Sequence, residues 1–394
     1  MTTSEVGTQV GPGADQVGST TDPHRWRIRR SSIDSHIGVV ATVGVLVLLI
    51  CIPGYTLFGV RLPGLGTSSQ MRTVVEILAL LALAQMWNLL AGFGGMISIG
   101  QQAFIGIGAY SVLVFADDWG VDPFVSLPLA GLVAAALSIP VALVAFRLRG
   151  GYFAIATWVI AEVFFLLVLN NSALGGGDGR TIRSLGNYDR FTRENYTYAL
   201  ALVVGFGAIA IVVWVLRSRL GLSLRAIRDS EEGARGVGVN VYRAKLIIWV
   251  IAAGWTGLTG ALIYLNRINV QPTAAFSVQW SALIIFICVV GGIGSTTGPI
   301  IGTLLFWVLR DQLADQEAWY FIVLGSVAVL FALFAPRGIY GLLNRIRPFQ
   351  LYPVRRRLVE AVPRGTGIFA KSSAGDGEAE AERETPQPSE MSKP

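Results

Sequence analysis

The sequence predicts an all-α, polytopic integral membrane protein with about ten transmembrane or broken helices, and three observations carry that expectation. Of its 394 residues, 53% are hydrophobic and only 14% charged, against roughly 45–50% and 25% in soluble domains. A soluble fold of this composition would lack the polar groups to cover its surface. Apolar stretches approaching the roughly 20 residues needed to cross a bilayer recur between residues 37 and 335. Glycine is abundant, at 46 residues, with no collagen-like period or low-complexity tract to account for it, so it belongs inside the apolar segments.

In chain order, residues 1–36 read as a disordered cytoplasmic N-terminal tail. The first 22 are rich in Gly, Ser and Thr, without basic charge or an apolar core, and so form neither a signal peptide nor a span. Spans follow near 37–52, 73–91, 96–116, 124–146, 151–171, 195–216, 244–266, 279–293, 297–310 and 318–335. The eighth and ninth meet at GGIGSTTGP (291–299) and stand as full spans, broken helices or a re-entrant pair. Residues 37–335 thus make up the membrane domain, interrupted by a polar loop at 217–243. Residues 336–394 form a basic, then disordered, cytoplasmic tail, rich in Glu, Pro and Ser from Ser372 onward and unable to bury enough surface to fold. Arg355, Arg356 and Arg357 suit contact with anionic lipid headgroups.

Orientation follows from the bias of Lys and Arg toward cytoplasmic loops. With the N-terminus inside, 23 of the 31 basic residues fall on the cytoplasmic side and 8 outside. Both termini are then cytoplasmic. The outside loop 172–194 runs against the trend with Arg180, Arg183, Arg190 and Arg193, offset by Asp178, Asp189 and Glu194.

The segment WNLLAGFGGMISIGQQAFIGIGAYS (87–111) brings six glycines together with Asn88, Ser98, Gln101 and Gln102 at membrane depth. Irregular backbone and amides are tolerated there only when buried in protein or lining a cavity. Two readings stand: a helix break beside a translocation path lined by these four residues, or close helix packing with the polar groups as interhelical glue. The turn in GGIGSTTGPIIG (291–302) repeats the theme in the second half, a pointer to internally repeated transporter architecture. Glu76 and Glu162 are the clear charges within spans. Intramembrane carboxylates suggest a proton relay, but without a neighbouring His, Lys or Asp these two read better as structural partners.

Within the 217–243 loop, LRAIRDSEEGAR (224–235) forms two to three helical turns with a thin apolar side at Leu224, Ile227 and Ala234, ended by Gly236 and Gly238. Such a helix suits docking into a groove of a soluble partner. The only lysines are Lys245, Lys371 and Lys393, and none follows a glycine. The phosphate-cradling G-x-x-x-x-G-K-[ST] signature is therefore absent, and any ATPase is a separate polypeptide. The chain offers no Gly-x-Ser-x-Gly elbow and no Cys/His metal spacing. Its two cysteines, Cys51 and Cys288, lie in apolar runs as inert buried thiols, and His24 and His36 precede the first span. These absences argue against an enzyme.

The run NLLAGFGGMISIGQQAFIGIGAY resembles the signature of the branched-chain amino acid ABC transporter permeases, approximately N-L-x-x-G-x-x-G-x-x-S-x-G-[HQ]-x-A-F-x-x-I-G-A-Y. GYFAIATWVIAEV (151–163), LGGGDGR (174–180), LRAIRDSEEGARGVGVNVYRAK (224–245) and VVGGIGSTTGPIIGTLL (289–305) extend the resemblance over about residues 70–340. It implies the permease subunit of an ATP-driven importer in a bacterial plasma (inner) membrane. Its expected partners are two ATP-binding cassette subunits, a sister permease of which this chain resembles the larger member, an extracytoplasmic substrate-binding protein and membrane lipid, with no nucleic acid. No cofactor is expected, ATP being bound by the separate subunits. The 224–238 region resembles the coupling loop, which assigns ATPase coupling to Arg225, Ile227, Arg228, Asp229, Glu231 and Gly238. Gly233-Ala234-Arg235 departs from the usual Ala-Ala-Glu there, whereas Glu231, Gly238 and Asn240 fit. The implied substrates are branched-chain or related amino acids, with urea or short amides as the alternative within the family. A proton-coupled transporter or channel using Glu76 and Glu162 is the alternative outside it.

Overall fold

The computed structural model describes residues 67–313, 317–335 and 337–346, part of 40–49, and short strands at Trp26–Arg29, Tyr55–Leu57, Val60–Leu62 and Arg357–Glu360. The chain divides into two compact units, residues 31–354 and the two chain ends, 1–30 with 355–394. In the smaller unit Trp26–Arg29 pairs antiparallel with Arg357–Glu360. Arg355, Arg356, His24, His36, Cys51 and most of both expected tails lie outside the described residues.

The main unit contains α1 (Ser68–Asn88), α2 (Gln101–Leu113), α3 (Ser126–Ala145), α4 (Gly151–Leu169), α5 (Arg190–Arg217), α6 (Arg219–Asp229), α7 (Glu231–Gly236), α8 (Val241–Arg267), α9 (Pro272–Ala275), α10 (Val278–Gly291), α11 (Gly298–Leu313), α12 (Glu317–Phe334) and α13 (Gly338–Ile346). Among the described residues six stretches are long and apolar enough to cross a membrane: Ser68–Phe93, Ser126–Ala145, Gly151–Leu169, Arg190–Arg217, Val241–Arg267 and Pro272–Gly291. The expected span 37–52 is described only at helical residues 40, 42 and 44–49. The remaining expected spans are helical but shorter, with 13 residues in α2 and 16 in α11. The boundary expected at 335 falls before a further helix, α13, which packs on α10 and α11. Gly338, at φ +63°, lets the chain turn back against Gly292.

α1 is the central helix. A capping box starts it, with Thr67 N–H donating to Gln70 Oε1 at 2.9 Å and Gln70 N–H returning to Thr67 Oγ1. Every residue from Leu78 to Asn88 is buried, as fits a helix that is apolar around its circumference. α8, 27 residues and about 40 Å long at 1.5 Å per residue, packs against α1, α2 and α3. Small residues let these backbones touch: a Cβ on Gly108 would stand 1.8 Å from the Gly257 carbonyl oxygen, and one on Gly257 2.2 Å from Ala134 Cβ.

α6 and α7 mark one face of the bundle, since α8 begins beside them and ends at the other face. On that opposite face Arg180–Thr181 pairs antiparallel with Asn269–Val270. Arg180 bonds Asp118 at 2.8 and 3.2 Å, and Glu194 accepts from Arg72 and Arg190 at 3.0 and 2.9 Å. Two of the four arginines that ran against the charge bias are thus neutralised locally. The hydrogen bonds and charge of Arg180 hold the Asp118 carboxyl below the usual carboxylate range.

α10 and α11 form a helical hairpin joined by the 292–297 turn. Arg310 near the end of α11 bonds Glu76 of α1 at 2.8 Å, far from the 292–297 turn that joins the two helices. Glu76 accordingly has a structural partner, as its isolation in the sequence suggested. Glu162 sits instead on the exposed side of α4, without an ion pair among the described residues.

Candidate coupling and translocation site

The two glycine-rich breaks meet each other. α1 loosens after Asn88 into a π-type turn, Leu89–Phe93. There the Gly94 N–H donates to the Leu89 and Leu90 carbonyls at 3.1 Å, and the Met96 N–H to Leu90 at 2.9 Å. The 292–297 turn lies directly against this segment. A Cβ on Gly92 would stand 2.3 Å from Asn88 Oδ1 and 2.6 Å from the Gly294 nitrogen, so the approach requires glycine. The Asn88 amide closes the junction in both senses, Nδ2 donating to the Ser295 carbonyl at 2.8 Å while Oδ1 accepts from Gly294 N–H at 2.8 Å. Nearby, Gln85 Nε2 donates to the Thr296 carbonyl at 3.0 Å, and the buried Cys288 thiol to the Ala84 carbonyl at 3.2 Å.

The next residues tie other helices together. Ser98 gives its carbonyl to Trp87 Nε1 at 2.7 Å and its hydroxyl oxygen to Gly100 N–H at 3.3 Å. Gly100 starts α2 against α4, where a Cβ would meet the Thr157 carbonyl at 2.1 Å, and Ile99 N–H donates to Thr157 Oγ1 at 3.2 Å. Gln101 Oε1 accepts from Thr256 of α8 at 3.4 Å, and Gln102 Oε1 accepts from the Ser281 hydroxyl of α10.

Asn88, Ser98, Gln101 and Gln102 are each at most 1% exposed, and none of them lines the cavities at the two faces of the bundle. In this structure their hydrogen bonds run to neighbouring helices and turns, the arrangement that the interhelical-glue reading describes. A buried amide in low-dielectric surroundings is costly unless paired, and here the nearest partners are backbone groups and hydroxyls of neighbouring helices. Gln101 Nε2 and Gln85 Oε1 are exceptions, each buried with no hydrogen-bond partner among the described residues. Gln85 and Thr157 belong to the same set but were not singled out from the sequence, where nothing local marks a pairing across 211 positions.

The 217–243 loop holds two helices rather than one. Ser218 caps α6, its hydroxyl accepting from Leu220 N–H at 3.2 Å, so the helix starts at Arg219 rather than at 224. Ser230 breaks it and caps α7 through Gly233 N–H at 3.0 Å. The expected apolar side is buried at Leu224, Ile227 and Ala234, but against the chain's own helices, with Ile227 and Ala234 packed on Val241 and Ala244. Ile227 thus anchors α6 to α7 and α8 within the chain. Glu231 is held inside the chain by Lys245 at 2.9 Å and Arg235 at 3.1 Å; the Lys245 hydrogen bond leads in holding its carboxyl below the usual range. Of the other residues assigned to coupling, Arg225 is half-buried, Arg228 and Asp229 are exposed, and Gly238 is exposed at φ +82°. The Arg228 guanidinium rests against Gly294, whose Cβ position lies 2.7 Å from Nη1. Leu222 and Val237, 46% and 77% exposed, add apolar surface that the sequence reading passed over. A cavity of about 400 Å3 lies on this face, with Arg149, Gly150, Tyr242 and Lys245 among its walls.

Residues 68–333 match the family model described as the branched-chain amino acid transport system permease component. The chain is 30% identical over 278 residues to the high-affinity branched-chain amino acid transport system permease protein LivM of Escherichia coli, covering 64% of this chain and 65% of the relative. LivM of Salmonella typhimurium is 29% identical over 298 residues, 69% of each chain. The ribose import permease protein RbsC of Bacillus subtilis is 26% identical over 193 residues, 45% of this chain and 59% of the relative. The chain thus spans just under two thirds of the first of these relatives. No solved structure gives a significant match.

Proposed function

Since the chain belongs to the branched-chain amino acid transport system permease family, we propose that it is the membrane subunit of an ATP-driven importer of branched-chain amino acids, coupled to separate ATPase subunits through α6 and α7. It works beside a sister permease and receives substrate from an extracytoplasmic binding protein. The relatives named as branched-chain amino acid permeases support the substrate over the sugar of the ribose permease, which is less similar and shares a shorter stretch.

One observation carries the coupling. α6 and α7 are bound to the bundle by Leu224, Ile227 and Ala234, and Arg228 lies against the 292–297 turn, which Asn88 in turn fastens to the end of α1. A displacement of α6 is thereby transmitted to both broken segments. In this reading ATP-driven closure of the partner ATPases moves α6 and α7 as a lever, and the bundle exposes its pathway alternately to each side. Leu222, Asp229, Glu232 and Val237 offer the exposed contact. A proton relay is poorly served by Glu76, already paired with Arg310, and by Glu162 on a different helix face.

Purification of the tagged chain co-expressed with its transporter subunits tests this. The wild type retains an ATPase and, in proteoliposomes with binding protein, supports ATP-dependent leucine uptake. Val237→Asp with Glu232→Lys lowers both by roughly tenfold, equivalent to about 1.4 kcal/mol at the interface, without lowering thermal stability. Unchanged recovery and uptake would overturn the coupling, and uptake abolished by a protonophore at constant ATP would replace it with proton coupling.

A further inference from the structure

At the face opposite α6 and α7 a cavity of about 470 Å3 opens between α1, the end of α8, α10 and α11. It lies within the roughly 300–1,000 Å3 of small-ligand sites, and its walls divide into two chemistries. One part is apolar, formed by Leu80, Ile263, Leu283 and Phe306. The other is charged and polar, with Glu76, Arg267 and Arg310 joined by Thr273 and Ser277. We propose that this cavity binds a free α-amino acid with an apolar side chain, Arg267 holding the carboxylate, Glu76 the ammonium group, and the apolar wall the side chain.

The charges are arranged for a zwitterion. Arg310 already neutralises Glu76 through a single contact at 2.8 Å, made to Oε2, and a carboxylate has further acceptor positions for an ammonium group. Arg267 makes no ion pair among the described residues and stands 5.2 Å over the Trp280 ring. That cation–π contact places the guanidinium at the cavity wall, and its planar fork can receive a carboxylate in two hydrogen bonds. An anionic phospholipid headgroup fits less well, because Glu76 repels its phosphate and nothing is left to pair with that carboxylate's second oxygen. The position also matters: the cavity opens at the far end of α8 from the proposed ATPase contact, on the face where a binding protein would release its ligand. The assignment rests on the importer reading for its substrate, while the location is carried by this cavity alone.

A leucine analogue carrying a side-chain diazirine, photolysed on the purified transporter complex in nanodiscs, tests the site. Adducts are expected in 76–83, 263–267 and 273–283, and excess leucine removes them. Arg267→Gln, a change at an exposed side chain, lowers the leucine-protected labelling by about tenfold, the equivalent of one charge-assisted contact. Leu283→Trp fills the apolar part and abolishes it, and a retained melting temperature for both variants separates the loss from misfolding. Leucine-protected adducts confined to 98–108, with uptake intact, would overturn the location and leave the importer standing. Adducts displaced by phosphatidylglycerol but not by leucine would make the cavity a lipid site and overturn the proposal. Wild-type complex that shows no ATP-dependent leucine uptake would instead remove the importer reading.

Discussion

Helices α1 and α4 are both long and apolar enough to cross a membrane, and they take opposite positions. The apolar window of the stretch containing α1 is 83% buried inside the protein, whereas that of α4 is 22% buried. α1 meets α5, α8, α10 and α11 and carries two amides, Gln85 and Asn88, each fastened to the 292–297 turn. α4 touches the bundle along one narrow stripe, Phe153, Ala154, Thr157 and Ala161, and turns Tyr152, Trp158, Glu162 and Leu167 outward. Hydropathy therefore reports that a helix leaves water, and the polar groups it carries report whether it meets protein or something else. A buried amide must find a partner within the fold; an outward carboxylate needs one outside it.

The contrast is broken most sharply at Asn88. Asn88→Leu leaves the Gly294 N–H and Ser295 carbonyl without partners beside the crowded Gly92, with a cost of about 1–3 kcal/mol for each buried group. The expected result is a fall in melting temperature of the detergent-solubilised protein large enough to abolish recovery of monodisperse material, measured by size-exclusion chromatography after a heat step. An Asn88→Leu protein that melts like the wild type would mean that the two glycine breaks are not held together by this amide.

Gly100→Ala sharpens the comparison from the other side. The added methyl meets the Thr157 carbonyl at 2.1 Å, and overpacking of this kind costs about 1–3 kcal/mol. Because α4 is held by one stripe, it moves away while α1 stays. Hydrogen exchange should rise at Ile99, Gly100 and along 151–161, with 78–88 unchanged. Equal loosening of both helices would show that α4 is as integral to the bundle as α1.

How much of this was legible in the sequence follows the same division. The helices themselves were, because a span must hold a long apolar run, and so were the two breaks, because glycines and amides at membrane depth have few other uses. The thin apolar side of the 217–243 loop was read correctly at Leu224, Ile227 and Ala234, but not what it faces. Periodicity marks a buried side without saying whose surface buries it. The start of α6 was missed because Ser218, its cap, looked like one more residue of a polar linker. Asn88, Ser98, Gln101 and Gln102 were found as a group, and their partners were not, since Ser295, Thr256 and Ser281 lie 207, 155 and 179 positions away from the residues they meet. The cavity at Glu76 was invisible for the same reason: Glu76, Arg267 and Trp280 come from three separate helices.

The smallest effect comes from a tie that, unlike Asn88, is open to water. Glu231 fastens α7 to α8 through Lys245, with side chains 30% and 21% exposed, so solvent screening limits the pair to about 0.3–1 kcal/mol. Its folded carboxyl titrates below the ordinary glutamate value of about 4.3. The stabilisation is therefore complete above that value and is lost as pH falls through it toward the lowered folded one. Glu231→Gln should melt slightly below the wild type at pH 7, and the two curves should draw together as pH falls below the ordinary glutamate value of about 4.3, measured as melting temperature against pH in the same detergent. Asn88 has no charge to titrate, so the Asn88→Leu deficit should persist across that range. A Glu231→Gln deficit that also persists at low pH would mean that the glutamate holds α7 by packing and hydrogen bonding rather than by its charge.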